Sequence, residues 1–178
     1  MTLVAAVAVA ASANAQVYVG GTAGINSVKV AGGDTETTFK VLPEVGYSLN
    51  DKWAVGASLG WSKGNGLADL KRDDITAGDL TQTFEVNPYV RYTFVKGNVV
   101  NVFVDGGLGY KHYNGQGNAW NAGFKPGVAV NVDKFSFVAH VGFVGFKSYK
   151  EKGAEKSNTA WGADLNGNNI TFGVYYNF

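Results

Sequence analysis

The chain has 178 residues, enough for one domain with its own core. Its 25 glycines are about twice the usual share, only 16% of residues are charged, and the formal net charge is +1. That balance leaves no basic face to argue for nucleic acid, and the absence of cysteine excludes disulfides and thiolate metal sites.

Leu3 to Ala11 is a short apolar run, followed by Ala13-Asn14-Ala15 and Gln16. An apolar stretch ahead of an A-x-A site predicts a secretory signal peptide over residues 1–15 and a mature chain over 16–178. The run falls well short of the ~20 residues a spanning helix needs. Met1-Thr2 lacks the Lys or Arg with which such a signal normally opens.

From Val17 onward the chain alternates with period two, segment after segment. The apolar phases run Val17 to Ile25, Phe39 to Leu49, Trp53 to Trp61, Phe84 to Phe94, Val100 to Tyr110, Trp120 to Val132, Phe135 to Phe143 and Ile170 to Phe178. This predicts eight strands, each near the ~9–11 residues of a tilted membrane strand. Asn50-Asp51-Lys52, Lys96-Gly97-Asn98 and Asp133-Lys134 are short turns. Long connections are expected near 30–36, 63–81, 112–118 and 147–169, the last containing a hairpin that projects outward and is interrupted at Asn166-Gly167-Asn168-Asn169. Short turns at one end and long loops at the other predict an up-and-down barrel with periplasmic turns. Pro43, Pro88 and Pro126 recur on the apolar phase of alternate strands, which suggests a row of bulges.

Polarity separates two barrels of this size. One phase is almost purely apolar and aromatic, while the other carries Lys40, Glu44, Glu85, Arg91, Asp105, Lys125 and His140. A soluble barrel would have to enclose the large apolar side chains in a lumen too narrow for them. The apolar phase therefore faces outward, into lipid. The expected fold is all-β: an eight-stranded antiparallel up-and-down transmembrane β-barrel. Tyr47, Trp53, Trp61, Tyr92, Phe94, Tyr110, Trp120, Phe135, Tyr176 and Phe178 then fall where interfacial aromatic girdles belong.

The terminal run N-I-T-F-G-V-Y-Y-N-F sets Ile170, Phe172, Val174, Tyr176 and Phe178 at every second position. It resembles the signal that the barrel-assembly machinery reads in outer-membrane proteins. Residues 16–178 are similar to the small OmpA/OmpX-type barrels, and P-E-V-G-Y (Pro43 to Tyr47) with W-A-V-G-A (Trp53 to Ala57) most resembles the barrel-domain family common in Bacteroidetes. The resemblance implies a bacterial outer-membrane location, with lipid, lipopolysaccharide and the assembly machinery as partners.

Inside the barrel, near-equal acids and bases among the seven lumen residues predict an ion-pair network. Inward glycines leave room for Tyr18, Tyr89, Phe103 and Tyr175, so the lumen is expected to be plugged. A narrow porin-like channel is the alternative. A lipid-modifying hydrolase would need Ser, His and acid together, and neither His112 nor His140 has the His-x-Ser spacing of a lipid A deacylase. No catalytic residue, cofactor or metal site is therefore expected. Function falls to a structural role or to a surface ligand at the loops, with Lys147, Lys150 and Lys152 as a possible clamp on lipopolysaccharide phosphates.

Overall fold

The computed structural model describes residues 17–29, 35–63, 82–164 and 170–178, side chains of 24–29, 35–38 and 164 excepted. The signal-peptide reading of 1–15, the charged loop through Asp69 and Asp74, and Leu165 to Asn169 lie outside these residues. Among the described residues there are ten strands: β1 (Val17–Lys29), β2 (Thr35–Ser48), β3 (Trp53–Lys63), β4 (Gln82–Lys96), β5 (Val100–Tyr113), β6 (Gly117–Val132), β7 (Phe135–Val141), β8 (Phe143–Glu151), β9 (Asn158–Asp164) and β10 (Ile170–Asn177). No helix among the described residues is long and apolar enough to cross a membrane, which leaves strands as the only spanning elements seen.

The strands form eight staves. The ladder runs β5-β4-β3-β2-β1-β10-β7-β6 and closes where β6 pairs with β5. β7 and β8 both pair with β6 and make one stave, interrupted at Gly142. β9 pairs with β8 and β10 with β7, which makes the last stave. Ladder lengths are unequal: β1 matches β2 over thirteen residue pairs but β10 over only four, Tyr18 to Gly21.

The turns are built by local chemistry. Asn50 Oδ1 accepts the backbone N–H of Lys52 at 2.9 Å and of Trp53 at 3.0 Å, an Asx turn between β2 and β3. Asp133 takes φ +54° between β6 and β7, a conformation that Asp tolerates better than most residues.

One connection expected to be a long loop is largely strand, and another holds the expected hairpin. β5 continues to Tyr113 and β6 begins at Gly117, so only residues 114–116 separate them. Within 147–169, β8 and β9 pair from Phe143↔Asp164 to Tyr149↔Asn158, and β8 ends level with the β5–β6 turn, Glu151 opposite Gly117. In both places the alternation continues into polar residues, and the ladder does not require an apolar face beyond the bilayer.

Outward positions carry the large apolar side chains, including Trp61, Phe94, Trp120, Phe124, Phe137 and Phe172, all exposed. One residue changes side. Phe143 was expected to follow Phe135, Phe137, Ala139 and Val141 outward, yet it is buried, with its ring against Gly123 and Gly145 in the lumen. Gly142 sits at φ +71°, and the pairing with β6 slips by one residue between Gly127↔His140 and Phe124↔Val144. An extra residue of this kind reverses every later side chain.

The proline row has a related explanation. Towards the following strand, the ladder skips Leu42-Pro43, Asn87-Pro88 and Lys125-Pro126, because proline has no N–H to donate. Only at Pro126 does the register also shift; at Pro43 and Pro88 it resumes unchanged. The row is thus a series of ladder gaps, one of which has become a bulge.

Candidate functional site

The turn-side half of the lumen is centred on Arg91. From β4 its Nε reaches Asp105 Oδ1 of β5 at 2.7 Å and Nη2 reaches Oδ2 at 2.8 Å, a two-pronged pair. His140 of β7 lies with Nε2 2.8 Å from Asp105 Oδ2, and since a carboxylate only accepts, that nitrogen carries the proton. On the opposite side, Glu44 of β2 stands 3.8 Å from Arg91 Nη2. Its Oε2 accepts the Tyr175 hydroxyl at 2.9 Å, and its Oε1 accepts the Tyr89 hydroxyl. Because Tyr89 donates to Glu44, the Tyr18 hydroxyl at 2.7 Å donates to Tyr89.

Rings pack around this network. The guanidinium lies 4.0 Å from the centre of the Phe103 ring, with Tyr89, Tyr18 and Tyr175 between 5.3 and 5.9 Å. Phe103 is 1% exposed and Tyr175 2%. The rings need glycine beside them: a Cβ on Gly46 would lie 2.0 Å from Tyr18 Cζ, on Gly56 2.4 Å from the Tyr89 hydroxyl, and on Gly127 2.4 Å from Phe103 Cζ. Gly46, Gly56 and Gly127 are therefore sockets for aromatic rings.

The loop-side half is different. Glu85 of β4 is held by Lys40 of β2 at 3.1 Å and by Lys111 of β5 at 2.9 Å. Asn87 donates to Ser58 Oγ at 3.2 Å, and Asn87 and Asn121 both crowd the space above Gly109. Lys125 of β6 shares this space, within electrostatic reach of Lys111, Glu85 and Lys40. Its side is open to water, as is that of Lys147 on β8, which lies 4.9 Å from the Phe143 ring.

The seven lumen residues named from sequence thus divide into a turn-side group, Glu44, Arg91, Asp105 and His140, and a loop-side group, Lys40, Glu85 and Lys125. Lys111 joins the second group. Sequence reading missed it because strand five was ended at Tyr110; continuing the alternation through His112 and Tyr113 would have placed Lys111 inside. Lys147 and Lys150 stand on opposite faces of β8, so with Lys152 they do not form one clamp.

On the outside, Trp53 and Tyr92 contact at 4.6 Å, Tyr110 and Trp120 at 4.6 Å, and Phe135 and Tyr176 at 5.4 Å, with Tyr176 and Phe178 at 5.0 Å. Tyr47, Trp61 and Phe94 are also exposed on this face. Ile170, Phe172 and Val174 continue the column of Tyr176 along β10, all three exposed. An apolar groove of about 1130 Å³ crosses the outer wall between Trp53 and Trp161, floored by Gly106, Ala122 and Gly145.

His112 is on the outer face, with Nδ1 2.6 Å from Asn118 Oδ1, which also accepts the Tyr110 hydroxyl at 2.9 Å. The two histidines therefore stand on opposite sides of the wall. Among the described residues, no group of three or more His, Asp or Glu side chains is placed to hold a metal ion.

A family model described as "Outer membrane protein beta-barrel domain" matches residues 1–178. No curated protein is significantly similar in sequence. Among solved structures, the chain is similar to the crystal structure of Neisserial surface protein A (NspA), with a TM-score of 0.54 and 13% identity, over 91% of this chain and 97% of that one. At that identity the likeness concerns the fold alone, and it agrees with the closed ladder and the outward apolar face. The chain belongs to the outer membrane protein beta-barrel domain family and is a protein of the bacterial outer membrane.

Proposed function

We propose that this barrel has a structural or surface-interaction role, that its lumen is plugged on the periplasmic side, and that it catalyses no reaction. The observation that carries this reading is the Arg91 cluster: four aromatic rings and two carboxylates surround one guanidinium. An eight-stranded barrel is only wide enough for side chains to fill it, and this filling leaves Phe103 and Tyr175 dry. Its partners are then outer-membrane lipid and lipopolysaccharide around the wall, the assembly machinery at the terminal strand, and a surface ligand at the loops.

One observation favours a narrow diffusion channel instead. The side chains of Lys40 and Lys111 remain 35% and 32% exposed inside the lumen, so water enters at least that half. Single-channel conductance of the refolded protein in a planar bilayer separates the two. A silent membrane with inserted protein supports the plug. Steady discrete openings whose ion preference changes in Arg91→Ala would replace it with a channel.

A further inference from the structure

Three of the four tryptophans rest on an aromatic neighbour: Trp53 on Tyr92 at 4.6 Å, Trp61 on Phe39 at 5.0 Å and Trp120 on Tyr110 at 4.6 Å. Trp161 does not. It is 89% exposed, and among the described residues its indole meets no other ring. Phe146 of β8 stands opposite it in the ladder, and both lie at one end of the apolar groove in the outer wall. Trp53 and Tyr92 lie at the other end.

The groove exists because two outward positions in the middle of the wall lack bulk. They are Gly106 on β5, opposite Phe124, and Ala122 on β6, opposite Leu108, diagonal neighbours across one ladder. The Phe124 ring leans over Gly106, 3.0 Å from where a Cβ would lie, and forms one side. Between β3 and β9 the groove crosses β4, β5, β6 and β8, a path of about 24 Å at ~4.8 Å per strand spacing. That path is close to the ~25 Å height of a barrel's apolar band.

This wall faces the hydrocarbon, so what fills the groove comes from the membrane. Its volume of about 1130 Å³ has room for about 40 groups of roughly 30 Å³, the size of a water or a methylene, which amounts to about two acyl chains. A second barrel would need close backbone approach along the small residues, and Phe124 and Trp161, 57% and 89% exposed, hold it off. An indole, with an apolar body and one N–H donor, suits the level where acyl chains meet their ester groups.

We propose that the groove binds one two-chain phospholipid, its acyl chains over Gly106 and Ala122 and its glycerol-ester region at Trp161. This rests on membrane lipid being the partner of the outer wall and is independent of the plugged lumen. A chain that does not insert would defeat the lipid-facing wall; insertion without a retained lipid defeats the groove alone.

The test is native mass spectrometry of the full chain, refolded in vesicles of palmitoyl-oleoyl phosphatidylcholine and released into mild detergent. Barrels carrying one phospholipid should predominate. Ala122→Phe, which fills the floor, and Trp161→Ala, which removes one end, should each lower the ratio of lipid-bound to lipid-free barrel about tenfold or more. Ala139→Phe, at an outward position of β7 outside the groove, leaves the ratio unchanged. Retention of the heat-modifiable gel shift shows that each variant is inserted and folded. Lipid-free wild-type barrels, or equal retention by wild type and Ala122→Phe, overturn the proposal. So does a lipid-free dimer, which would assign the groove to a second copy of the chain.

Discussion

The two halves of the lumen are built on the same staves, with the same inward phase and the same supply of glycine, yet they hold different interiors. On the turn side, rings fill the glycine sockets and every charge has a partner of opposite sign or a phenol. On the loop side, the inward positions carry mostly lysine, asparagine and glycine with Glu85, and fewer rings, Phe143 among them, fill the space. The wall dictates which positions face inward; residue size and charge pairing then decide whether the space is dry. A barrel of fixed strand number can therefore fill one half of its lumen more tightly than the other without changing its geometry.

The comparison is broken most severely at Arg91. Arg91→Ala leaves Glu44 and Asp105 buried without their shared cation, and removing one partner of such a group typically costs 3–5 kcal/mol. Urea unfolding of the refolded barrel, followed by tryptophan fluorescence, should show a loss of that order; a change below about 1 kcal/mol would mean that the turn side is not held together by this pair. Gly127→Val comes next, because its Cβ would press on Phe103 and the Ala139 carbonyl. Overpacking of this kind costs about 1–3 kcal/mol. The same branched side chain at Gly162, where nothing lies within 4 Å of a Cβ, should cost far less. Tyr89→Phe removes the hydroxyl that links Tyr18 to Glu44 and is expected to cost about 1 kcal/mol.

On the loop side the sign reverses. Lys125→Met deletes a cation that has no hydrogen-bond or ion-pair partner among the described residues and nearly keeps the length of the side chain, so the thermal midpoint should stay level or rise. A fall comparable to that of Tyr89→Phe would place Lys125 in a satisfied network like that of the turn side.

Much of this architecture was legible in the sequence because period-two alternation is a local signal. It gave the eight staves, the outward aromatics and the inward charges through Lys40, Glu44, Glu85, Arg91 and Asp105. What it could not give was register. The pairing of Arg91 with Asp105 rather than with Glu85 depends on which residues stand opposite one another across β4 and β5, and no single strand contains that information. The reversal at Gly142 was hidden for a related reason. Val144, Phe146 and Phe143 are all apolar, so the phase change leaves no mark in hydropathy, and only the ladder with β6 exposes the extra residue. Lys111 lay beyond the last apolar position of its strand, where alternation still operates but no longer alternates in hydrophobicity.

The smallest effect expected lies outside both halves, at the turn end. Asp51 and Lys96 pair in the exposed turns after β2 and β4, and the hydrogen bond and charge of Lys96 hold the Asp51 carboxyl below the usual aspartate range. A carboxyl so depressed contributes stability that is present above its unfolded value, near pH ~3.9, and is lost as pH falls through the lower folded value. Asp51→Asn should therefore lower the thermal midpoint slightly at neutral pH. The difference from wild type should shrink on acidification and also at about 1 M salt, where screening acts within about 3 Å. Thermal scans of both proteins across that pH range at low and high salt would check this. A gap unaffected by acid and salt would assign the effect to the conformation of the Asn50-Asp51-Lys52 turn and not to the ion pair. The pair would then contribute nothing to the difference between the two halves of the barrel.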